Sequence, residues 1–157
     1  MDNIFVLNDK KSWDLFFEAR HSMPDLAFKE TKKLDGISVI TDTIVPPENF
    51  KKSLSEIHKV IQGAKIEYLL FGHLGDCHLH FHLIPAKGQQ EIAFDVYNQI
   101  VKISSNLGGV YSAEHGTGKR KKADFLSCYG SEAANELRKS KLCLDPHMIL
   151  NRGNIID

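Results

Sequence analysis

The chain has 157 residues, enough for one domain with a proper core and too few for two. Its 20 Lys and Arg balance 20 Asp and Glu, so the formal charge is zero, which argues against nucleic acid or an anionic membrane as the main partner. Three cysteines without metal or redox spacing (Cys77, Cys128, Cys143) point to free thiols in a reducing compartment; with no secretory pattern and no membrane-length apolar stretch, a cytoplasmic location is expected.

Trp13 to Arg20 reads as a short helix with Ser12 as its N-cap, and His21 to Asp35, interrupted by Pro24, as loop or irregular helix. Ile37 to Val45 is rich in β-branched residues and stops at Pro46-Pro47, which predicts a strand. Phe50, Leu54, Ile57 and Ile61 recur at helical spacing over Glu48 to Gln62, with Gly63 as the expected C-cap. Two strands follow, Tyr68 to Leu74 and His78 to Leu83, joined by a Gly75-Asp76 turn. Gln90 to Leu107 is helical by its spacing of Ile92, Val96, Ile100 and Ile103, and Val110 to Ala113 is a short strand after Gly108-Gly109. Lys119 to Lys122 reads as a solvated turn, Lys121 to Leu142 as helix in pieces around Gly130, and the tail LDPHMILNRGNIID as turn-rich. The order strand, helix, strand, strand, helix, strand predicts an α+β domain: a ferredoxin-like split βαβ antiparallel sheet with helices on one face and a C-terminal helical tail. There is no internal repeat.

The window FGHLGDCHLHFHLIP holds four of the eight histidines. Period-two spacing puts His78, His80 and His82 on one face of a strand and Leu79, Phe81 and Leu83 on the other. A two-residue turn sets His73 opposite His78, with His80 diagonally across at about 7 Å, a separation that two imidazoles can close around one ion. The second chemical segment is GGVYSAEHGTG, where Glu114 and His115 sit together between glycines. Glu114 could complete a site with His73 and His80, and two imidazoles with one carboxylate suit zinc, iron or manganese while leaving positions open. An exposed turn is the alternative reading of Glu114 and His115.

GHLGDCHLH resembles a GHxGDGNxH motif, SAEHGTG an S-[AG]-E-H-G-x-G motif, and LDPHMILNRGNI a DPxxxLNPGKx motif, in that order. Together with WxxxxxAR and the D-x-x-[IV]-P segment from Asp42 to Pro46, they make nearly the whole chain similar to the C-terminal substrate or cap domain of FAD-linked oxidases. These are the D-lactate, glycolate and D-2-hydroxyglutarate dehydrogenases, whose flavin domain is of the vanillyl-alcohol-oxidase type. The resemblance implies one domain over residues 1–157, without the Gly-rich flavin-binding half that normally precedes it, and therefore an inactive fragment on its own.

It also implies roles. His73, His80 and Glu114 would be ligands to a divalent metal, zinc first; His115 would accept the hydroxyl proton; and Arg20 would hold the substrate carboxylate through its planar fork. His82 would line the substrate pocket or orient a ligand, and Asn151 is an additional candidate; His78, which departs from the family's asparagine, would add a metal ligand or alter the substrate pocket. The implied partners are a 2-hydroxy acid, FAD on the companion domain and an electron acceptor, either a quinone or an electron-transfer protein. A homodimer and a peripheral association with the inner membrane through the longer protein belong to the same expectation. The sequence departs from the motifs at Cys77 and His78, where the family has Gly and Asn, and at Arg152 and Asn154. Ile40 stands where some relatives carry a lysine, so a dicarboxylic substrate is not supported.

His78-Leu79-His80-Phe81-His82-Leu83-Ile84 also matches the H-φ-H-φ-H-φ-φ pattern of histidine-triad nucleotide hydrolases, whose middle histidine attacks an α-phosphate. That rival explains neither SAEHGTG nor the DPxxxLN tail. A metal-binding module without catalysis is the third reading.

Overall fold

The computed structural model describes residues 6–156. Its elements are α1 (Lys10–Lys33), β1 (Val39–Ile40), α2 (Pro47–Ala64), β2 (Glu67–His73), β3 (His78–Ile84), α3 (Gln90–Asn106) and α4 (Lys122–Leu144), with a 3-10 turn at Leu74–Asp76. The three strands form an antiparallel sheet in the order β1-β3-β2. The expected fourth strand shrinks to isolated bridges beside the end of β1, Val110 antiparallel to Ile44 and Ser112 parallel to Asp42. The α+β class and the split βαβ connectivity are those read from the pattern.

The apolar face of the sheet holds the core, in which Val39, Phe81 and Leu83 meet Ile57 and Ile61 of α2 and Ala93, Val96 and Ile100 of α3. Full burial of a side chain such as Phe81 contributes about 1.5–3 kcal/mol, so this face fixes the sheet's orientation. A second cluster, Val101, Tyr111, Phe125 and Ala134, ties α4 to α3.

Not all helices share that face. The segment expected to end at Arg20 continues to Lys33 as one helix and crosses the imidazole face, burying Ala27 and Thr31. Pro24 is accommodated within it because only one amide bond is lost and the outer side of the helix is solvent. The N-cap is Asp9, whose carboxylate accepts from the Ser12 N–H at 2.9 Å, so Ser12 is inside the helix. At the end of α2 the left-handed residue is Lys65, with Gly63 still helical. The Ile37–Val45 strand is regular only at Val39–Ile40, since Thr41 Oγ1 takes the Phe81 N–H and interrupts the ladder. Gly130, in an extended conformation with positive φ, divides α4 as its sequence suggests.

Candidate active site and metal-ligand cluster

The β2–β3 connection spans Leu74 to Cys77, not two residues: a 3-10 turn followed by Cys77 in the left-handed region. It nevertheless sets His73 directly opposite His78, as expected. Gly72 permits this close pairing, since a Cβ there would lie 2.7 Å from the His78 carbonyl oxygen. His73, His78 and His80 thus share one end of one sheet face, with ring centroids of His78 and His80 4.5 Å apart.

Glu114 and His115 reach that end from the chain leaving α3. Gly109 makes the path possible: a Cβ there would stand 2.1 Å from the Ile44 carbonyl oxygen. Glu114 Oε1 lies 3.0 Å from His80 Nε2, and Oε2 lies 3.6 Å from His73 Nε2. His115 stacks on His80, with centroids 4.9 Å apart and planes 2° from parallel. One donor atom each from His73, His78, His80 and Glu114 falls within 4.8 Å of the others; Asp42, His80, Glu114 and His115 form an overlapping group.

His80 tells what the cluster is suited to. Its Nδ1 is 3.0 Å from the Thr41 carbonyl oxygen, and its Nε2 faces the Glu114 carboxylate, so both nitrogens meet pure acceptors. A neutral ring donating from Nδ1 turns its Nε2 lone pair toward Glu114. That arrangement is satisfied by a proton or by a cation shared between them, and a backbone carbonyl behind Nδ1 is the usual support of a metal-binding imidazole.

Asp42, missed as a site residue, organises the loop. Fully buried, it accepts from Lys121 Nζ (2.8 Å), Ser112 Oγ (2.7 Å), the His115 N–H (3.0 Å) and the Glu114 N–H (3.3 Å), and stands 3.1 Å from His78 Nε2. Burial pushes its carboxyl up, but the hydrogen bonds from Lys121, Ser112 and His115 outweigh that and hold it far below the ordinary carboxylate range. Lys121 is therefore an enclosed ion-pair partner rather than part of a solvated turn. Two signals were available, the lone acid amid the β-branched run Thr41 to Val45 and its place at the head of the D-x-x-[IV]-P segment, but neither gave Asp42 a task.

Burial, reinforced by neighbouring His80, pushes the His78 imidazole down against the pull of Asp42 and Glu114. Partial desolvation raises Glu114, yet the bond from His80 and the charges of His78 and His73 leave it lowered.

The cluster opens into a cleft of about 590 Å³ between α1 and the sheet, whose lining includes Arg20, His73, His80, Glu114 and His115. Arg20 thus faces the same space as the ligand group, and His21 beside it lines that space too. His82 does not. Enclosed under α1, it pairs Nε2 with Ser38 Oγ at 2.8 Å and meets the edge of Phe28, while burial pushes its imidazole down. Asn151 lies apart, in the C-terminal turn beside Leu137 and Lys141. The three strand histidines are consequently divided, His78 and His80 in the donor group and His82 beneath α1.

Fold and site define an α+β domain whose polar sheet end gathers side chains able to hold a metal ion. The chain belongs to the family "FAD linked oxidases, C-terminal domain", whose model matches residues 1–155. It is 26% identical over 154 residues to a D-lactate dehydrogenase of Archaeoglobus fulgidus, covering 98% of this chain and 33% of that protein. It is 35% identical over 118 residues to the D-2-hydroxyglutarate dehydrogenase of Escherichia coli, covering 73% of this chain and 11% of that protein. With a D-lactate dehydrogenase [cytochrome] 1, mitochondrial, of Saccharomyces cerevisiae it shares 32% over 116 residues, 73% of this chain and 20% of that one. The chain spans a third or less of the length of these relatives.

Proposed function

We propose that the chain is the substrate-binding part of a flavin-dependent 2-hydroxy acid dehydrogenase, of D-lactate or glycolate type, and is inactive without a flavin-binding domain. The observation that carries this reading is the convergence of His73, His80, Glu114, His115 and Arg20 on one cleft, within a chain of this family. His73, His80 and Glu114 would hold a divalent ion, zinc first, since two imidazoles and a carboxylate form a catalytic zinc set that iron and manganese also accept. When bound, the ion would supply Lewis-acid stabilisation of the substrate alkoxide and FAD would accept the hydride from C2, electrons then passing to a quinone or an electron-transfer protein.

The chain's own residues do the rest. Arg20 holds the substrate carboxylate through two parallel N–H donors. His115, stacked on His80, takes the hydroxyl proton as C2 is oxidised from alcohol to ketone. Asp42 fixes the His115 and Glu114 amides and so sets where both side chains begin. His82 supports the wall beneath α1.

The test joins metal analysis to turnover. The wild-type chain should retain about one divalent ion, and His73→Ala and Glu114→Ala should lose it. Linked to a flavin-binding domain, the wild type should oxidise D-lactate or glycolate, and His115→Gln should lower kcat about 10²–10⁴-fold. Metal retained by both alanine variants, or cleavage of a nucleotide phosphoramidate by the chain alone, overturns the reading.

A further inference from the structure

The family motif has an asparagine where this chain has His78, and the proposed function leaves His78 without a task. The residue is 4% exposed, directly opposite His73 in the hairpin, with its ring centroid 4.5 Å from that of His80. The bland account makes it a buried histidine kept to satisfy Asp42. Donor counting speaks against that. A carboxylate offers about four lone-pair sites, and Asp42 already receives Lys121, Ser112 and the His115 and Glu114 amides. Asp42 is therefore satisfied without His78, and the contact at 3.1 Å serves the ring: the carboxylate fixes the orientation and tautomer of His78 as the Thr41 carbonyl fixes those of His80. Both rings belong to the same group of donor atoms as His73 and Glu114, all mutually within 4.8 Å.

We propose that His78 is a fourth protein ligand, making a three-histidine, one-carboxylate centre for a divalent transition metal such as zinc. This rests on the metal assignment of His73, His80 and Glu114 above. A fourth donor raises affinity for the ion, and substrate would then bind as a fifth ligand, a coordination number that catalytic zinc reaches.

The experiment loads the full chain with Zn²⁺ and counts imidazole scatterers by X-ray absorption, then measures Zn²⁺ affinity by chelator competition for wild type, His78→Asn, His73→Ala and Glu114→Ala. Three imidazoles per zinc in the wild type, two in His78→Asn, and at least about a tenfold loss of affinity for that variant are expected. Two imidazoles in the wild type, with His78→Asn unchanged while His73→Ala and Glu114→Ala lose the ion, overturn this inference and leave the earlier assignment standing. No zinc bound by the wild type overturns both. If His78→Asn does not fold, the wild-type ligand count decides alone.

Discussion

The amide of His115 donates to Asp42 Oδ2 at 3.0 Å across 73 positions of sequence. This contact, not any local propensity, holds the Glu114-His115 pair against the histidine strand. Asp42→Asn leaves the Lys121 ammonium, only 14% exposed, without its counter-charge. The variant should be destabilised by about 3 kcal/mol in urea denaturation. Addition of Lys121→Met should restore part of the loss, because the enclosed charge goes too. Equal stability of wild type and Asp42→Asn would remove Asp42 from the account.

Gly109→Ala should cost about 1–3 kcal/mol by overpacking, since its Cβ would press on the Ile44 carbonyl oxygen and on Val45 Cγ1. The same change should lower retained metal, as Glu114 lies five residues downstream on the displaced path. Thermal melting and metal analysis of one preparation check both.

Arg20→Lys keeps the charge and loses the fork. In the flavin-bearing protein KM for the hydroxy acid should rise about tenfold with kcat changed less, as for uniform binding. A fall in kcat at constant KM would give Arg20 another role.

Two acid-sensitive contributions differ in window. His82 is pushed below its ordinary 6.5 by burial, so the unfolded chain binds the proton first. Its stabilisation is present above about pH 6.5 and declines as the pH falls below that. His82→Gln should flatten part of the loss between pH 7 and 5 in urea denaturation; an unchanged slope sinks the assignment.

Asp145, held to about 2 by Lys141 and by the Leu150 and Ile149 amides, behaves alike at lower pH. The unfolded value is 3.8, so its stabilisation is complete above about pH 4 and lost toward pH 2. The stability difference between wild type and Asp145→Asn should therefore shrink from pH 5 to pH 3.

Local signals served where structure is local. Regular spacing of Leu54, Ile57 and Ile61, and of Val96, Ile100 and Ile103, was enough for α2 and α3, because each helix has one apolar stripe facing one sheet. The alternation of His80 with Phe81 likewise revealed which face carries chemistry. The expected halt at Arg20 failed because Pro24 removes one hydrogen bond from a helix that Ala27 and Thr31 anchor further along. Asp42 and Lys121 stayed hidden for another reason. Their meaning lies in partners 70 or more positions away, Ser112 and His115 for Asp42, and Asp42 itself for Lys121. His82 looked like its neighbours by period alone, and only the path of α1 separates it from the cleft.

The hairpin between His73 and His78 also limits how this chain can vary. Side-chain direction alternates residue by residue, so inserting or deleting a single residue within β3, at Leu79, would turn every later side chain of that strand to the other face. Imidazoles would then enter the packed interior and leucines the cleft. Point replacements at the turn are compatible with the architecture, as Cys77 illustrates, whereas changes of strand length by an odd number are not. Substitution, not insertion, is the route by which this end of the sheet can acquire new donors.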